Sequence, residues 1–398
     1  MSKPRKVLII VENEPVPFDT RVWKEALSLT ANGYQVSVIC PKQKGYTKTY
    51  ECLDGIHIYR HPAPADANSP LGYLVEFSNA LFWEFILSWW VFIRRGFHVI
   101  QGCNPPDNIF LVALPFRSFG VKYIFDHHDA NPELYLAKYG LKGILYRIQL
   151  LLENMTYRFS DVVMATNLSY KDLAVKRGHK DPANLFVVRN GPDPETFKPV
   201  PPNPALKNGR QFMVGYVGTM SSQDGLEILL DVASYIRNTE RKDVHFTCVG
   251  GGPGLADLQR LTREKDLTDT VTFTGRVSDE ALLEILSSAD VCVNPDVPCE
   301  MNDISTMTKI MEYMALGKPI VQFDLKEGRF SAGEASLYAT KDDNDQVADF
   351  ARKIVWLLEH PEQRERMGQI GRRRVCESLG WQYSASQLLC AYDRAFSM

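Results

Sequence analysis

The chain lacks a surplus of charge of one sign: 45 Lys and Arg stand against 48 Asp and Glu, a formal net charge of −3 in 398 residues. Binding a phosphate backbone needs a basic face, so nucleic acid is not an expected partner. None of the eight cysteines falls into a CxxC pair. Scattered thiols in a chain of this length read as reduced and mostly buried, which fits a cytoplasmic protein better than a disulfide framework. The cluster His127, His128 and Asp129 has neither HxxxH nor CxxC spacing, and Asp161 and Asp290 stand alone rather than in an Asp-x-Asp beside a strand end. The expectation is therefore no metal site and no cofactor. The dinucleotide fingerprint Gly-x-Gly-x-x-Gly is missing as well. Its best fragment, Gly250-x-Gly252, has Leu255 in the third place, which leaves an NAD-dependent oxidoreductase as the weaker alternative. The opening MSKPRKVLIIVENEP holds too short an apolar run for a signal peptide and is expected to be a first strand.

What the chain does have is alternation. Short apolar runs at 6–11, 35–40, 98–102, 122–126 and 161–165 are separated by stretches of helical length, among them 20–32, 71–95 and 144–159. After GPDPETFKPVPPNPALKNG, a proline-rich and polar linker, a second series follows at 213–217, 245–249, 271–274, 291–294 and 319–324, with helices expected at 226–238, 254–265, 279–288 and 306–316. At 398 residues the chain exceeds one core. Strands alternating with helices predict two open α/β domains with parallel sheets, which bind ligands beyond the carboxyl ends of their strands.

One segment tests solubility. LGYLVEFSNALFWEFILSWWVFIRR (71–95) is rich in aromatics, but Glu76, Asn79, Glu84 and Ser88 interrupt it. Spanning a bilayer takes about 20 apolar residues. A crossover helix packed on the sheet is one reading. Peripheral attachment, with Arg94 and Arg95 at lipid headgroups, is the other.

The most informative stretch is DISTMTKIMEYMALGKPIVQFD (303–324). Ser305 or Thr306 is expected to cap a helix on which Lys309 and Glu312 share one face near its start. Free N–H groups there attract phosphate, Lys309 adds a full charge, and Glu312 is suited to a ribose diol. A solvated ion pair explains the same spacing.

VRNGPDPETF (188–197), VGYVGT (214–219), VGGGP (249–253), FTGRV (273–277), ADVCVNP (289–295) and KIMEYMALGKPIV (309–321) follow one another in order. Together they resemble the family 4 glycosyltransferases, retaining enzymes of the GT-B fold. The resemblance implies an acceptor-binding Rossmann-like domain over 1–195, a nucleotide-sugar-binding one over 196–380, and a cleft between them. It also implies that a last helix, 381–398, crosses back to the first domain through Trp381, Leu388, Leu389 and Tyr392. It implies donor contacts at Gly218, Thr219, Gly252, Arg276, Val277, Thr308, Lys309 and Glu312. His128 is implied to approach the transferred sugar, with His127 competing for that place. The implied reaction draws on a UDP- or GDP-linked sugar and a glycan or lipid-linked acceptor in polysaccharide or glycolipid assembly, in the cytoplasm or peripherally on the membrane. The leaving phosphate itself would deprotonate the acceptor on the same face.

Three departures qualify this. Where the family often carries arginine and lysine, this chain has Thr219 and Asp224. The carboxylate expected eight residues before Glu312 is Ile304, with Glu300 and Asp303 out of register. The first loop, ENEPVPFDTR (12–21), lacks paired glycines. Lys309 is then the best remaining cation for the departing diphosphate, and a catalytic role is hypothesised for it. The same losses keep a non-catalytic glycosyltransferase-like subunit open. On the acceptor side, Asp19 and Arg21 follow the first strand, where Arg21 reads equally as an acceptor contact or a solvated helix start. Asp107 in NPPDN is an N-cap or an acceptor contact, the N-cap being the plainer reading.

Overall fold

The computed structural model describes residues 4–63, 70–239, 243–342 and 344–398, with the side chains of 70–77 outside that description. The chain forms two units, Met1–Asn190 with Ser384–Met398, and Gly191–Tyr383. The change of unit falls at the start of the polar linker, and the chain re-enters the first unit three residues into its last helix, Trp381–Phe396. Trp381 falls in the second unit, where its N–H donates to the Pro192 carbonyl. Leu388 and Tyr392 are buried in the first.

The first unit is built on an eight-stranded sheet. In chain order its strands are β1 (Lys6–Val11), β2 (Gln35–Lys42), β3 (Tyr50–Leu53), β4 (Ile56–Pro62), β5 (Val99–Cys103), β6 (Lys122–His127), β7 (Val162–Ala165) and β8 (Leu185–Val187). Their spatial order is β3-β4-β2-β1-β5-β6-β7-β8, and all pairs are parallel except β3 with β4. That antiparallel pair turns at Asp54 and Gly55, both at positive φ, the backbone that an Asp-Gly hairpin turn favours.

The second unit has six parallel strands, β9 (Phe212–Val217), β10 (Val244–Val249), β11 (Val271–Gly275), β12 (Val291–Asn294), β13 (Ile320–Phe323) and β14 (Ser336–Ala339). Their order is β11-β10-β9-β12-β13-β14, which is 3-2-1-4-5-6 within the unit and puts the reversal of direction between β9 and β12. Both faces of the sheet are covered. Along β9, Val214 and Tyr216 enter one apolar cluster while Met213 enters the other, as period-two side chains must. That is why these strands read as continuous apolar runs rather than alternating ones.

Candidate active site

In the second unit the features cluster at the β9/β12 reversal. Helix Thr308–Ala315 is pinned there by Tyr313, whose hydroxyl accepts from the Val217 N–H at 2.9 Å and donates to the Val293 carbonyl at 3.2 Å. Its N-cap is Met307, which offers no side-chain cap. The expected cap at Ser305 or Thr306 is thus corrected. Ser305 instead ends the preceding short helix Glu300–Ile304 and returns its Oγ to the Met301 carbonyl. Beside that start lies the turn after β9. A Cβ on Gly218, at φ +155°, would lie 2.7 Å from the Tyr216 hydroxyl, and one on Gly250 would lie 2.0 Å from the Gly218 carbonyl. Glycine at these places lets two strand-end loops touch main chain to main chain.

Lys309 does not stand as an uncommitted cation. Its side chain is 9% exposed, its Nζ lies 2.8 Å from Asp296 and 3.6 Å from Asp224, and it sits 4.8 Å from the centre of the Tyr216 ring. Burial pushes the Asp296 carboxyl above its usual range, and Lys309 offsets only part of that. Asp224, at the position where the resemblance expects lysine, also closes a capping box with Ser221. Of the remaining donor residues, Thr219 is exposed and offers its carbonyl to Tyr216. Arg276 and Gly252 are exposed, while Val277, Thr308 and Glu312 are half-buried. Near them, Asp303 accepts from the Lys326 N–H, and Glu300 is exposed.

In the first unit the features gather at the ends of β5 and β6. Arg21 is buried, not a solvated helix start. Its guanidinium donates to Asp126 at 2.7 Å and to the Val188 carbonyl at 2.7 Å, with Glu25 at 3.2 Å, and its Nε lies 2.9 Å from His128 Nε2, which accepts that N–H only when it carries no proton of its own. Asp126 Oδ2 lies 2.7 Å from His128 Nε2 and accepts from Gln101 at 3.0 Å. Burial would raise the Asp126 carboxyl, but Arg21 and His128 outweigh it and hold it below its usual range. Burial, followed by Asp126, pushes Glu25 up to about 8. For His128 burial opposes the charged ring, yet Asp126 raises the imidazole above its ordinary value.

His127 is core. Burial pushes its ring down to about 3, the ring stacks on Tyr170 at 4.6 Å, and it pairs with the Tyr157 hydroxyl. Asp19 caps helix Thr20–Ala31 through the N–H groups of Arg21 and Val22. The N-cap reading of Asp107 is corrected, because the next helix starts at Phe110 with Ile109 as its cap. Both Asp107 oxygens instead accept from Asn104 and Asn131 in a buried tie, and burial lifts its carboxyl to about 6.

With this geometry in place, sequence models of two known families match. That described as glycosyl transferases group 1 covers residues 211–360, and that described as glycosyl transferase 4-like domain covers 19–191. The chain belongs to the family 4 glycosyltransferases. Its two parallel-sheet units have the GT-B fold. The sucrose-phosphate synthase of Thermosynechococcus elongatus superposes with a TM-score of 0.79 at 20% identity over 99% of both chains. The Anabaena HepE protein, solved with UDP and glucose, superposes with a TM-score of 0.72 at 16% identity over 98% of this chain and 99% of that one. By sequence the chain is 28% identical to the alpha-D-kanosaminyltransferase of Streptomyces kanamyceticus over 159 residues, 39% of each chain. Its matches span 39% to 50% of the length of three such curated relatives.

The partners that define the charged residues are not legible in the sequence. Asp296 and Tyr216 hold Lys309, while Glu25 and Asp126 hold Arg21 and are themselves tied to Gln101 and, through it, to Tyr392. Some signal existed: Arg21 and Glu25 are four apart on a helix, and Asp126 and His128 are two apart along an extended segment. Cys103, Asp126 and His128 bring one ligand atom each within 4.8 Å. The Arg21 guanidinium already lies against two of the three groups, Asp126 and His128, and burial holds the Cys103 thiol well above its usual range. This donor set does not fit a metal ion. Family membership removes the oxidoreductase reading.

Proposed function

We propose that this glycosyltransferase moves a sugar from a UDP- or GDP-linked donor to a glycan or lipid-linked acceptor in polysaccharide or glycolipid biosynthesis, with retention and without a metal. The observation that carries the reading is the meeting of the Gly218 turn with the uncapped start of helix Thr308–Ala315 at the β9/β12 reversal. Main chain and oriented N–H groups there suit a diphosphate. Arg276 and Val277 are assigned to the base, Glu312 to the ribose, and His128 to the transferred sugar. As the glycosidic bond breaks, charge grows on the diphosphate, and its oxygen takes the acceptor's hydroxyl proton while the new bond forms. Because Lys309 is matched by two carboxylates, the helix start carries more of that charge than Lys309 alone would. A panel of UDP, GDP, ADP and dTDP in thermal shift tests the reading, since a ligand bound only by the folded state raises its melting temperature. No response to any nucleotide, with no transfer from a labelled sugar nucleotide, would leave the non-catalytic subunit, which the neutralised Lys309 favours.

Attachment to a membrane surface belongs to the same proposal. No helix among the described residues is long and apolar enough to cross a bilayer. Helix Pro70–Arg94 nonetheless turns Glu84 and Ser88 inward and presents Phe82, Ile86, Trp90 (50% exposed) and Ile93 (77% exposed) outward. Arg94 lies over the Trp90 ring. Helix Ile144–Phe159 adds exposed Ile144, Ile148 and Leu151. Apolar faces edged by arginine suit a lipid interface. Sedimentation with anionic vesicles that Ile93→Glu abolishes is the expected result.

A further inference from the structure

We infer that Tyr392, on the last helix, is a positioning residue for His128 and acts on it through Gln101 and Asp126. The Tyr392 hydroxyl donates to Gln101 Oε1 at 2.5 Å. Gln101 Nε2 then faces two carboxylates, Glu25 at 2.6 Å and Asp126 at 3.0 Å, and the same Asp126 oxygen holds His128 at 2.7 Å. Tyr392, Gln101, Glu25 and Asp126 are all fully buried, whereas the His128 side chain is 16% exposed. A chain of hydrogen bonds therefore runs from buried groups to a partly exposed imidazole.

The logic is one of amide orientation. A buried glutamine between a hydroxyl and two carboxylates satisfies its atoms only with Nε2 toward the carboxylates and Oε1 toward a donor. Tyr392 is that donor. Its ring is held edge-on to Tyr34 with centroids 5.7 Å apart, so the hydroxyl cannot wander. Without it, Gln101 Oε1 is buried and unpartnered, and the amide turns away to recover a partner. Asp126 then loses a donor that shares its charge and holds the His128 proton more strongly.

The groups facing the His128 ring are Asp126 near the end of β6, Arg21, Glu25 and Asp19 from the first helix and its cap, and Cys103 from β5. Its chain neighbours His127 and Asp129 complete the set. Tyr392→Phe removes none of these charges. A change in His128 titration must then travel through Gln101.

The inference rests on the proposed role of His128 at the transferred sugar, but its test does not need activity. In the full chain, the Cε1–H resonance of His128, identified by its loss in His128→Gln, is titrated by NMR. In Tyr392→Phe its midpoint is expected to move upward by about half a pH unit, the scale of one buried hydrogen bond. The acid limb of kcat should move with it while the donor KM stays unchanged. A midpoint coincident with that of the unaltered chain would overturn the inference. Should Tyr392→Phe fail to fold, Gln101→Met must give the same upward movement, and an unmoved midpoint there is equally decisive. A moved midpoint with an unmoved kcat profile supports the relay and counts instead against the role assigned to His128.

Discussion

Each unit holds, beyond its strand ends, one buried cation between two carboxylates: Arg21 with Asp126 and Glu25 in the first, Lys309 with Asp296 and Asp224 in the second. The two triads differ in how the cation is used. Arginine's planar fork is committed in four directions, one of them a histidine ring, so the first triad is a rigid mount. Lysine is a point charge on a flexible stem. Its near partner is buried Asp296, while Asp224, farther away, is also engaged by Ser221. A tight fork suits holding a side chain still, and a loosely shared ammonium suits a charge that changes during turnover.

The largest expected effect breaks the second triad. Lys309→Ala should lower kcat by about 100-fold, the scale of one lost transition-state donor. It also leaves Asp296 buried without a counter-charge, which lowers the melting temperature. Adding Asp296→Asn should restore the melting temperature but not kcat, and recovery of both would reduce Lys309 to a structural role. Lys309→Arg should not rescue turnover, because a fork fills the site differently.

Arg21→Lys tests the other side of the comparison. It keeps the charge but loses the fork, so the Val188 carbonyl or His128 loses its partner. A stability loss on the order of 2 kcal/mol in denaturant unfolding is expected, with kcat about tenfold lower from a misplaced ring. An unchanged protein would mean that charge alone organises the first triad.

Glu84 sharpens the comparison because it is a buried carboxyl with no cation partner among the described residues. Burial, with Glu12 adding to it, pushes Glu84 up from 4.5 to about 8, and neither oxygen has a hydrogen-bond partner. The folded chain thus holds this proton more tightly than the unfolded chain, and stability falls as pH rises from about 4.5 toward 8. Glu84→Gln should change little near pH 5 and raise the melting temperature at pH 8 by roughly 2–4 °C. Equal melting curves at both pH values would contradict the raised carboxyl.

The smallest effect expected is none. Each triad already has a side-chain cation between its carboxylates, so EDTA should leave turnover unchanged. A loss on chelation that added magnesium or manganese restores would overturn the metal-free reading.

Much of this was legible beforehand, for a physical reason. Strands buried on both faces must be apolar throughout, so β1 and β12 stood at the bounds that composition suggested. Helices Ile144–Phe159 and Leu226–Asn238 did so through their spacing. The β3–β4 hairpin carries its own mark, Asp54-Gly55, but this short antiparallel edge falls outside the strand–helix alternation that marks the rest of the sheet.

By itself the sequence determined two α/β units, their family, and which residue types stand at the strand ends, because these depend on local periodicity and motif order. Only the tertiary structure decided what those residues do to one another. Lys309 stands 13 residues from Asp296 and 85 from Asp224, and Gln101 stands 291 from Tyr392. A charge is exposed, neutralised or harnessed according to what folding brings within a few ångströms. Residue spacing along the chain carries no record of that distance.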